Sequence, residues 1–455
     1  MMISGLRTRF MFRRLQNAAQ PAFTRSRNVR RCVRFAGRVV LQATLLSFAL
    51  PSALLACPFC LSPGQTWSEI VADAGVIALA RLVSVSEGEN GQPPFSIFEI
   101  QEIHKGAEIA PKTRIIRYDD FVFGAKGDLF LLRGGLARPN AVRLDETFAS
   151  EDDPQETPPS GVRLASAEKT AADDRPSVFE WDLTQKVSDL TYRYIIEAPA
   201  PTSDAQQRLA YHHRFLEHAD PLIAADAWGE FARCNYAQIK EFRPQLQAEP
   251  LRRWIAAKDI SPERLGLYGM LLGLCGESSD VEFLKQQIGP PGTEDLRFGV
   301  EGLMGGLLLL EKEAGLSFLS KTRLQNLNAS TLDCFATVQA LQFVWEYEPE
   351  LIPRRELRSA MHPMLERPEL REIAIRDLAR WEDWTIVPRL PGLYREARQN
   401  DIGTCRAIAG FLLTCRKNTP DDDPLHVAAV RILDDIRKDN SRIVRMAEEE
   451  QGLRP

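Results

Sequence analysis

The stretch Ser261–Leu284 reads SPERLGLYGMLLGLCGESSDVEFL and decides how the second half of the chain is built. It contains an apolar segment, a polar Gly-Glu-Ser-Ser-Asp turn and a second segment whose apolar residues recur at helical spacing. Val281, Leu284 and Ile288 fall at i, i+3 and i+7, which places them on one face of an α-helix. Two helices joined by so short a turn pack antiparallel. The stretch therefore predicts a helical hairpin.

The same helical period extends over residues 204–440. Prolines divide this region into segments of helix length, at Pro221, Pro244, Pro262, Pro290, Pro291, Pro353, Pro368, Pro388 and Pro420. We expect roughly a dozen helices, which is typical of an α-solenoid. The stretch Ser261–Leu284 also resembles a HEAT-type hairpin. The resemblance implies an all-α superhelical solenoid of the HEAT or armadillo kind.

Residues 57–200 have a strand pattern instead. Short β-branched and apolar runs at Val76–Val83, Phe95–Ile100, Thr113–Tyr118 and Asp128–Leu132 are separated by turns that contain Gly or Asn. Strands at this spacing predict a small antiparallel barrel or sandwich. The chain is therefore expected to have two domains, an all-β domain followed by an all-α domain.

The β-rich region also resembles a known group of proteins. The residues that carry the resemblance are the cysteines Cys57 and Cys60, the run Ala72–Leu82, the sequence His104-Lys105-Gly106 and the run Gly127–Leu132. They are similar to the netrin-like/tissue-inhibitor-of-metalloproteinase group. The resemblance implies an OB-type barrel and an inhibitor whose N-terminal Cys57 binds a protease zinc through its free amine and carbonyl.

The N-terminus predicts export. Residues 1–38 contain ten arginines and no acid, and Val39–Ala56 carries no charge. A basic segment, an apolar segment and a small residue at the boundary form a secretory signal peptide, whereas a membrane-spanning helix needs about 20 mostly apolar residues. We expect residues 1–56 to be removed. The mature protein is then periplasmic, secreted or a lipoprotein of the cell envelope.

The function of Cys57 and Cys60 stays open between several alternatives. Leu54-Leu55-Ala56-Cys57 resembles the lipobox of bacterial lipoproteins, which implies a lipid on Cys57 and membrane contact through that lipid alone. Cys57-Pro58-Phe59-Cys60 resembles the Cys-Pro-x-Cys of glutaredoxins, which implies thiol–disulfide exchange. A local disulfide is the third alternative. Seven of the eight cysteines would remain after cleavage, and an odd number leaves one without a partner.

The charge of the mature chain argues against nucleic acid as a partner. The whole sequence has a net charge of −5, but the segment 1–56 contributes ten arginines and no acid, so the remainder is far more acidic. An acidic protein binds a phosphate backbone poorly.

Residues 145–174 contain nine acidic and two basic residues and predict a disordered insert. Residues 441–455 are expected to form a polar C-terminal tail.

Two sets of residues are candidates for ligand contact. Gly266, Gly269, Gly273 and Gly276 are spaced 3, 4 and 3 apart, and Gly299, Gly302 and Gly306 continue the pattern. Since each glycine costs a helix about 1 kcal/mol relative to alanine, we expect close contact between two helices; a ligand face along Gly266, Gly269, Gly273 and Gly302 is the alternative. His213 and Glu217 are expected to share a helix face, which offers too few ligands for zinc.

No complete catalytic motif, metal site or cofactor motif occurs in the sequence. Barrel-like domains and solenoids often bind partners rather than catalyse. The sequence therefore predicts a non-enzymatic protein-interaction module of the cell envelope or periplasm. A metalloprotease inhibitor acting through Cys57 and a redox protein using Cys57 and Cys60 are the alternatives.

Overall fold

The computed structural model describes residues 57–60, 64–88, 93–136, 179–290 and 298–452. These residues belong to one compact unit. The expected signal peptide and the acidic insert lie outside the described residues. The two-domain boundary near residue 200 therefore stays a prediction.

One antiparallel sheet opens the described part of the chain. Its strands are β1 (Val76–Ser86), β2 (Phe95–Lys105), β3 (Ile115–Tyr118), β4 (Leu129–Leu136) and β5 (Phe179–Val187). They lie in the order β3-β2-β1-β4-β5. The strand positions agree with the period-2 pattern, but the sheet is open in the described residues. Closure into a barrel would need β3 to pair with β5.

Alternating side chains of the sheet enter two different cores. On one face, Ala78, Leu82 and Phe98 pack with Phe130. On the other face, Ile77 and Leu79 pack with side chains of the helices that follow the sheet. The second core contains Tyr192, Ile195 and Ile223, so the sheet and the helices share buried apolar surface.

Helices account for most of the remaining described residues. A short helix, α1 (Trp67–Asp73), precedes β1, and α2 (Asp189–Glu197) follows β5. The others are α3 (Ala205–His213), α4 (Pro221–Arg233), α5 (Tyr236–Glu241), α6 (Ala248–Ile255), α7 (Pro262–Cys275), α8 (Asp280–Ile288), α9 (Val300–Glu311), α10 (Glu313–Leu319), α11 (Thr331–Tyr347), α12 (Arg354–Met361), α13 (Pro368–Arg380), α14 (Leu390–Ala397), α15 (Ile402–Asn418), α16 (Pro424–Asp439) and α17 (Ser441–Glu450). None of the described helices is long and apolar enough to cross a bilayer.

The helices from α7 onward pack in alternation. Each odd-numbered helix contacts the next odd-numbered one, from α7 through α9, α11, α13 and α15 to α17. Of the even-numbered helices, α8 contacts α9, and α16 contacts both α15 and α17. We call the odd-numbered set the helical stack.

The end of the helical region differs from the prediction. Residues from 441 onward were expected to be a polar tail, but Ser441–Glu450 is helical and packs against α15. Ile443, Val444 and Ala447 are buried on one side of this helix, whereas most of its charged residues face solvent. Three apolar residues among many charged ones are enough to dock a ten-residue helix. The polar composition of the segment did not indicate this buried face.

Candidate functional site

Cys57 and Cys60 form a disulfide at the start of the described residues. The Cys57 N–H donates to the carbonyl of Ala232, at 3.0 Å, and the Cys60 N–H donates to the Cys57 carbonyl, at 3.2 Å. Cys57 is only 4% exposed. The disulfide loop is therefore fastened to the end of α4, with its first sulfur away from solvent.

Phe59 anchors the same loop between helices. Its ring centroid lies 4.8 Å from that of Phe343 on α11. A Cβ placed on Gly305 would lie 2.6 Å from the Phe59 ring, and one on Gly266 would lie 2.8 Å from the Phe59 carbonyl oxygen. Real Cβ atoms do not approach so closely, so glycine at both positions makes the room that Phe59 occupies.

The two glycine runs face each other across α7 and α9. A Cβ on Gly269 would lie 2.5 Å from the backbone nitrogen of Leu303, and one on Gly273 would overlap the main chain of Gly306. Gly302 is placed in the same way against Gly266. We call this contact the glycine seam. The four glycines considered as a ligand face thus lie against backbone or against Phe59, while Gly276 and Gly299 lie just beyond the helix ends.

A second buried feature joins α1, α2, α3 and α4 through polar side chains. We call it the buried joint; it comprises Thr66, Ser68, Tyr194, Arg208, His212, Asp226 and Glu230. Its two carboxylates, Asp226 and Glu230, are four residues apart and therefore lie on one face of α4. That helix begins at Pro221, with Asp220 as its N-cap, because a proline fits the first helical turn and the Asp220 carboxylate accepts the N–H of Leu222.

The carboxylates of α4 hold the first turn of α1. Asp226 Oδ1 accepts the backbone N–H of Trp67 at 2.7 Å, and Glu230 Oε1 accepts the hydroxyl of Ser68. Backbone N–H groups in a first helical turn lack partners within the helix, so an acid from elsewhere can satisfy one of them. This contact joins residues 159 positions apart and fixes the helix that leads into β1.

The other side of the joint comes from α2 and α3. Arg208 donates to Glu230 Oε2 at 2.8 Å. The Tyr194 hydroxyl donates to Asp226 Oδ2 at 2.7 Å and lies 3.0 Å from His212 Nδ1. Tyr194 therefore connects the acid of α4 to the histidine of α3.

Burial separates the pKa values of the ionisable groups in the joint. It raises the pKa of Asp226 to about 6, against the hydrogen bonds from Trp67 and Tyr194. It lowers the pKa of His212 to about 4, against the attraction of Glu230. Burial also acts to raise the pKa of Glu230, but hydrogen bonds from Ser68, Thr66 and Arg208 hold it below its ordinary value.

The joint has acid–base residues, and in the part of the chain that the structure describes they are closed off from solvent. His212 is fully buried, Glu230 is 1% exposed and Asp226 is 8% exposed. A cleft of about 350 Å³ lies beside Ile255, Pro262 and Phe298 and shares no residue with the joint. The arrangement can hold and exchange protons internally, and it can fasten elements together.

His213 and Glu217 are arranged differently from the prediction. Helix α3 ends at His213, so Glu217 does not share its face. Glu217 instead accepts from Arg264 and from the Tyr268 hydroxyl of α7, the latter at 2.6 Å. Within the part of the chain that the structure describes, no group of three or more His, Cys, Asp or Glu residues is placed to hold a metal.

The sequence did contain a signal for the joint that periodicity arguments missed. Asp226 and Glu230 interrupt an apolar helix whose neighbouring residues, Ala227 and Phe231, are fully buried. Acids one turn apart in such a helix require buried partners. Ser68 and Trp67 lie far away in sequence, so nothing local identifies them.

Comparison of the chain with protein-family models, with curated proteins and with solved structures finds no match.

Proposed function

We propose that this chain is an exported, non-enzymatic protein-interaction module of the cell envelope or periplasm. The observation that carries the proposal is the helical stack, in which α7, α9, α11, α13, α15 and α17 contact one another in sequence. Helices repeated along one direction create an extended surface, and proteins use such surfaces to bind other proteins.

The finer architecture is part of the same proposal. In this proposal the helical stack is a superhelical solenoid of the HEAT or armadillo kind, and the sheet, which is open in the described residues, corresponds to an OB-like barrel. Support for the barrel comes from its five strands, from their antiparallel order and from the positions of β3 and β5 at the two edges.

The surroundings of Cys57 favour this function over the inhibitor alternative. An inhibitor that binds zinc through Cys57 needs the amine and carbonyl of that residue free. Here the Cys57 nitrogen donates to Ala232 and the Cys57 carbonyl accepts from Cys60. Release of both groups would detach the disulfide loop from α4.

The same loop bears on the redox and lipid alternatives. Thiol–disulfide exchange requires an attacking thiolate to reach a sulfur; Cys57 is 4% exposed, and Cys60 is half-buried. A sulfur in a disulfide cannot carry a lipid thioether at the same time. The loop therefore supports a structural disulfide, with export resting on the basic and apolar segments of residues 1–56.

Site-specific photo-crosslinking in the source cells tests the proposal. Leu332 on α11 and Ile402 on α15 are 48% and 60% exposed, so a photoreactive side chain at either position faces outward from the helical stack. We expect both positions to crosslink the same protein. Asp119, 77% exposed beside β3, is the matched control and is expected to give no such product. No crosslink from either stack position would contradict the proposal.

Mass spectrometry of the mature chain tests the exported state. We expect the chain to begin at Cys57, with the mass of an internal disulfide and no lipid. A full-length mass would contradict export, and a mass increase equal to a diacylglyceryl group would favour the lipoprotein alternative.

A further inference from the structure

The hydrogen bonds of the buried joint leave one atom unsatisfied. The Tyr194 hydroxyl has a single proton, which it donates to Asp226. His212 Nδ1, 3.0 Å from the same hydroxyl, must then donate to the Tyr194 oxygen. Because a neutral imidazole carries one N–H, His212 Nε2 is left without a proton.

The deprotonated nitrogen has an unfavourable neighbour. His212 Nε2 has no hydrogen-bond partner among the described residues, and it lies 4.0 Å from Glu230 Oε2. Two acceptors that face each other in a buried site cannot satisfy one another. Between α3 and α4, therefore, His212 Nε2 and Glu230 have no proton with which to form a hydrogen bond.

One added proton, passed along the hydrogen bonds of His212, Tyr194 and Asp226, resolves this conflict. One proton binds His212 Nε2, the Nδ1 proton passes to the Tyr194 oxygen, and the original Tyr194 proton passes to Asp226, so the imidazole remains neutral. The Asp226 carboxyl then donates to the Tyr194 oxygen, and the Tyr194 hydroxyl donates to His212 Nδ1. The cluster gains one proton in total, and each existing contact is kept with donor and acceptor exchanged.

We propose that Asp226, Tyr194 and His212 form a proton-operated clasp, in which net uptake of one proton by the three residues leaves Asp226 protonated, reverses the hydrogen bonds and directs His212 Nε2–H toward Glu230. The gap of 4.0 Å then closes by about 1 Å, to the length of an N–H···O hydrogen bond. The clasp tightens the contact between α3 and α4 and acts independently of the proposed function.

The charges around the clasp favour a neutral imidazole throughout the change. Glu230 faces His212 from α4, while Arg208 of α3 and Arg214 just beyond it oppose a positive charge there. On the Asp226 side the facing groups are Tyr194 of α2, the Trp67 N–H and Glu69 of α1, and Glu230 of α4. Burial raises the pKa of Asp226 to about 6 and lowers that of His212 to about 4, so the two changes occur in different pH ranges.

Nitrogen NMR of the full chain with ¹⁵N-labelled histidine tests the clasp. The sequence contains six histidines, and the His212→Gln variant identifies the signal of His212 by its loss. We expect His212 to be the Nδ1–H tautomer at pH 8 and the Nε2–H tautomer at pH 5, neutral in both. A single tautomer at both pH values, or an imidazolium already at pH 5, would overturn the proposal.

Two variants separate the clasp from a purely structural cluster. Asp226→Asn supplies a permanent N–H donor to Tyr194, so we expect the Nε2–H tautomer at pH 8 as well as at pH 5. Tyr194→Phe removes the connection, so the tautomer of His212 is expected not to change with pH. An Asp226→Asn protein with the Nδ1–H tautomer at pH 8 would refute the coupling. If either variant fails to fold, the wild-type measurement still decides.

Discussion

The buried joint and the glycine seam bring helices together by opposite means. In the joint, α1 and α4 meet through carboxylates, a hydroxyl and a backbone N–H. In the seam, α7 and α9 meet through bare backbone, with no side chain between Gly273 and Gly306. The joint depends on protonation and on each partner being present, whereas the seam depends on volume alone. Substitutions in the two regions should therefore fail for different reasons.

Removal of one charge should weaken the joint most. In Glu230→Ala, the guanidinium of Arg208 loses its carboxylate in a site where that side chain is 14% exposed. Breaking one partner of a buried ion pair typically costs about 3–5 kcal/mol, and we expect a loss of that size in urea unfolding.

An exposed acid provides the control. Glu249, 68% exposed, pairs with Arg252 on the surface of α6. Glu249→Ala should lower the free energy of unfolding by less than about 1 kcal/mol. Equal losses for Glu230→Ala and Glu249→Ala would mean that burial of the joint contributes nothing to the free energy of unfolding.

Phe59 tests the edge of the seam where the disulfide loop enters it. Phe59→Ala leaves a cavity beside Gly305 and Phe343, and we expect a loss of about 3 kcal/mol in the free energy of unfolding. Phe59→Leu keeps an apolar side chain there and should cost less than about 1.5 kcal/mol. If both variants unfold like the wild type, the loop does not anchor on the seam.

A larger side chain should break the seam itself. Gly273→Leu forces a branched side chain into the backbone of Gly306, and overpacking of this kind costs about 1–3 kcal/mol even though leucine favours helix by about 1 kcal/mol. The melting temperature of the full chain is therefore expected to fall.

Gly392 on α14 is the matched control for the seam. A Cβ at this position meets no heavy atom within 4 Å. Gly392→Ala should therefore raise stability by about 1 kcal/mol through helix propensity alone. A rise for Gly273→Leu as well would show that the seam has room for a side chain.

The two regions also differ in how far the sequence predicts them. The 3-and-4 spacing of Gly269, Gly273, Gly302 and Gly306 is local, and helix geometry alone puts such residues on one face. The order of a strand region before a helical region can be predicted in the same way, because the apolar period of a strand and that of a helix are each contained in a few residues. Phe59 could not be assigned to the seam, since no pattern links a loop residue to helices two hundred positions away.

The joint was invisible to the same reasoning. His212 precedes His213 on α3, but its partners Tyr194 and Glu230 are on other helices. Long-range hydrogen bonds produce no periodic pattern of residue types along the sequence. The end of α3 was missed too, because the residues after His213 continue a helical composition while the backbone turns.

The most direct test of this comparison is the pH dependence of the stability differences for Asp226→Asn and Gly273→Leu. Burial raises the folded-state pKa of Asp226 from 3.8 to about 6. The contribution of Asp226 to the free energy of unfolding of the wild type is therefore present in acid and is lost as the pH rises through 6. That difference in pKa corresponds to a change of about 3 kcal/mol in the free energy of unfolding. Wild type and Asp226→Asn both retain His212, so the change with pH in the stability difference between them reports on the Asp226 carboxyl.

Urea unfolding at pH 8 and pH 5 provides the measurement. We predict that Asp226→Asn is more stable than wild type at pH 8, by up to about 3 kcal/mol, and that its advantage shrinks at pH 5. The deficit of Gly273→Leu should be the same at both pH values, because no titrating group takes part in the seam contact between Gly273 and Gly306. An Asp226→Asn difference that does not change with pH, or a Gly273→Leu deficit that changes as much, would contradict the account.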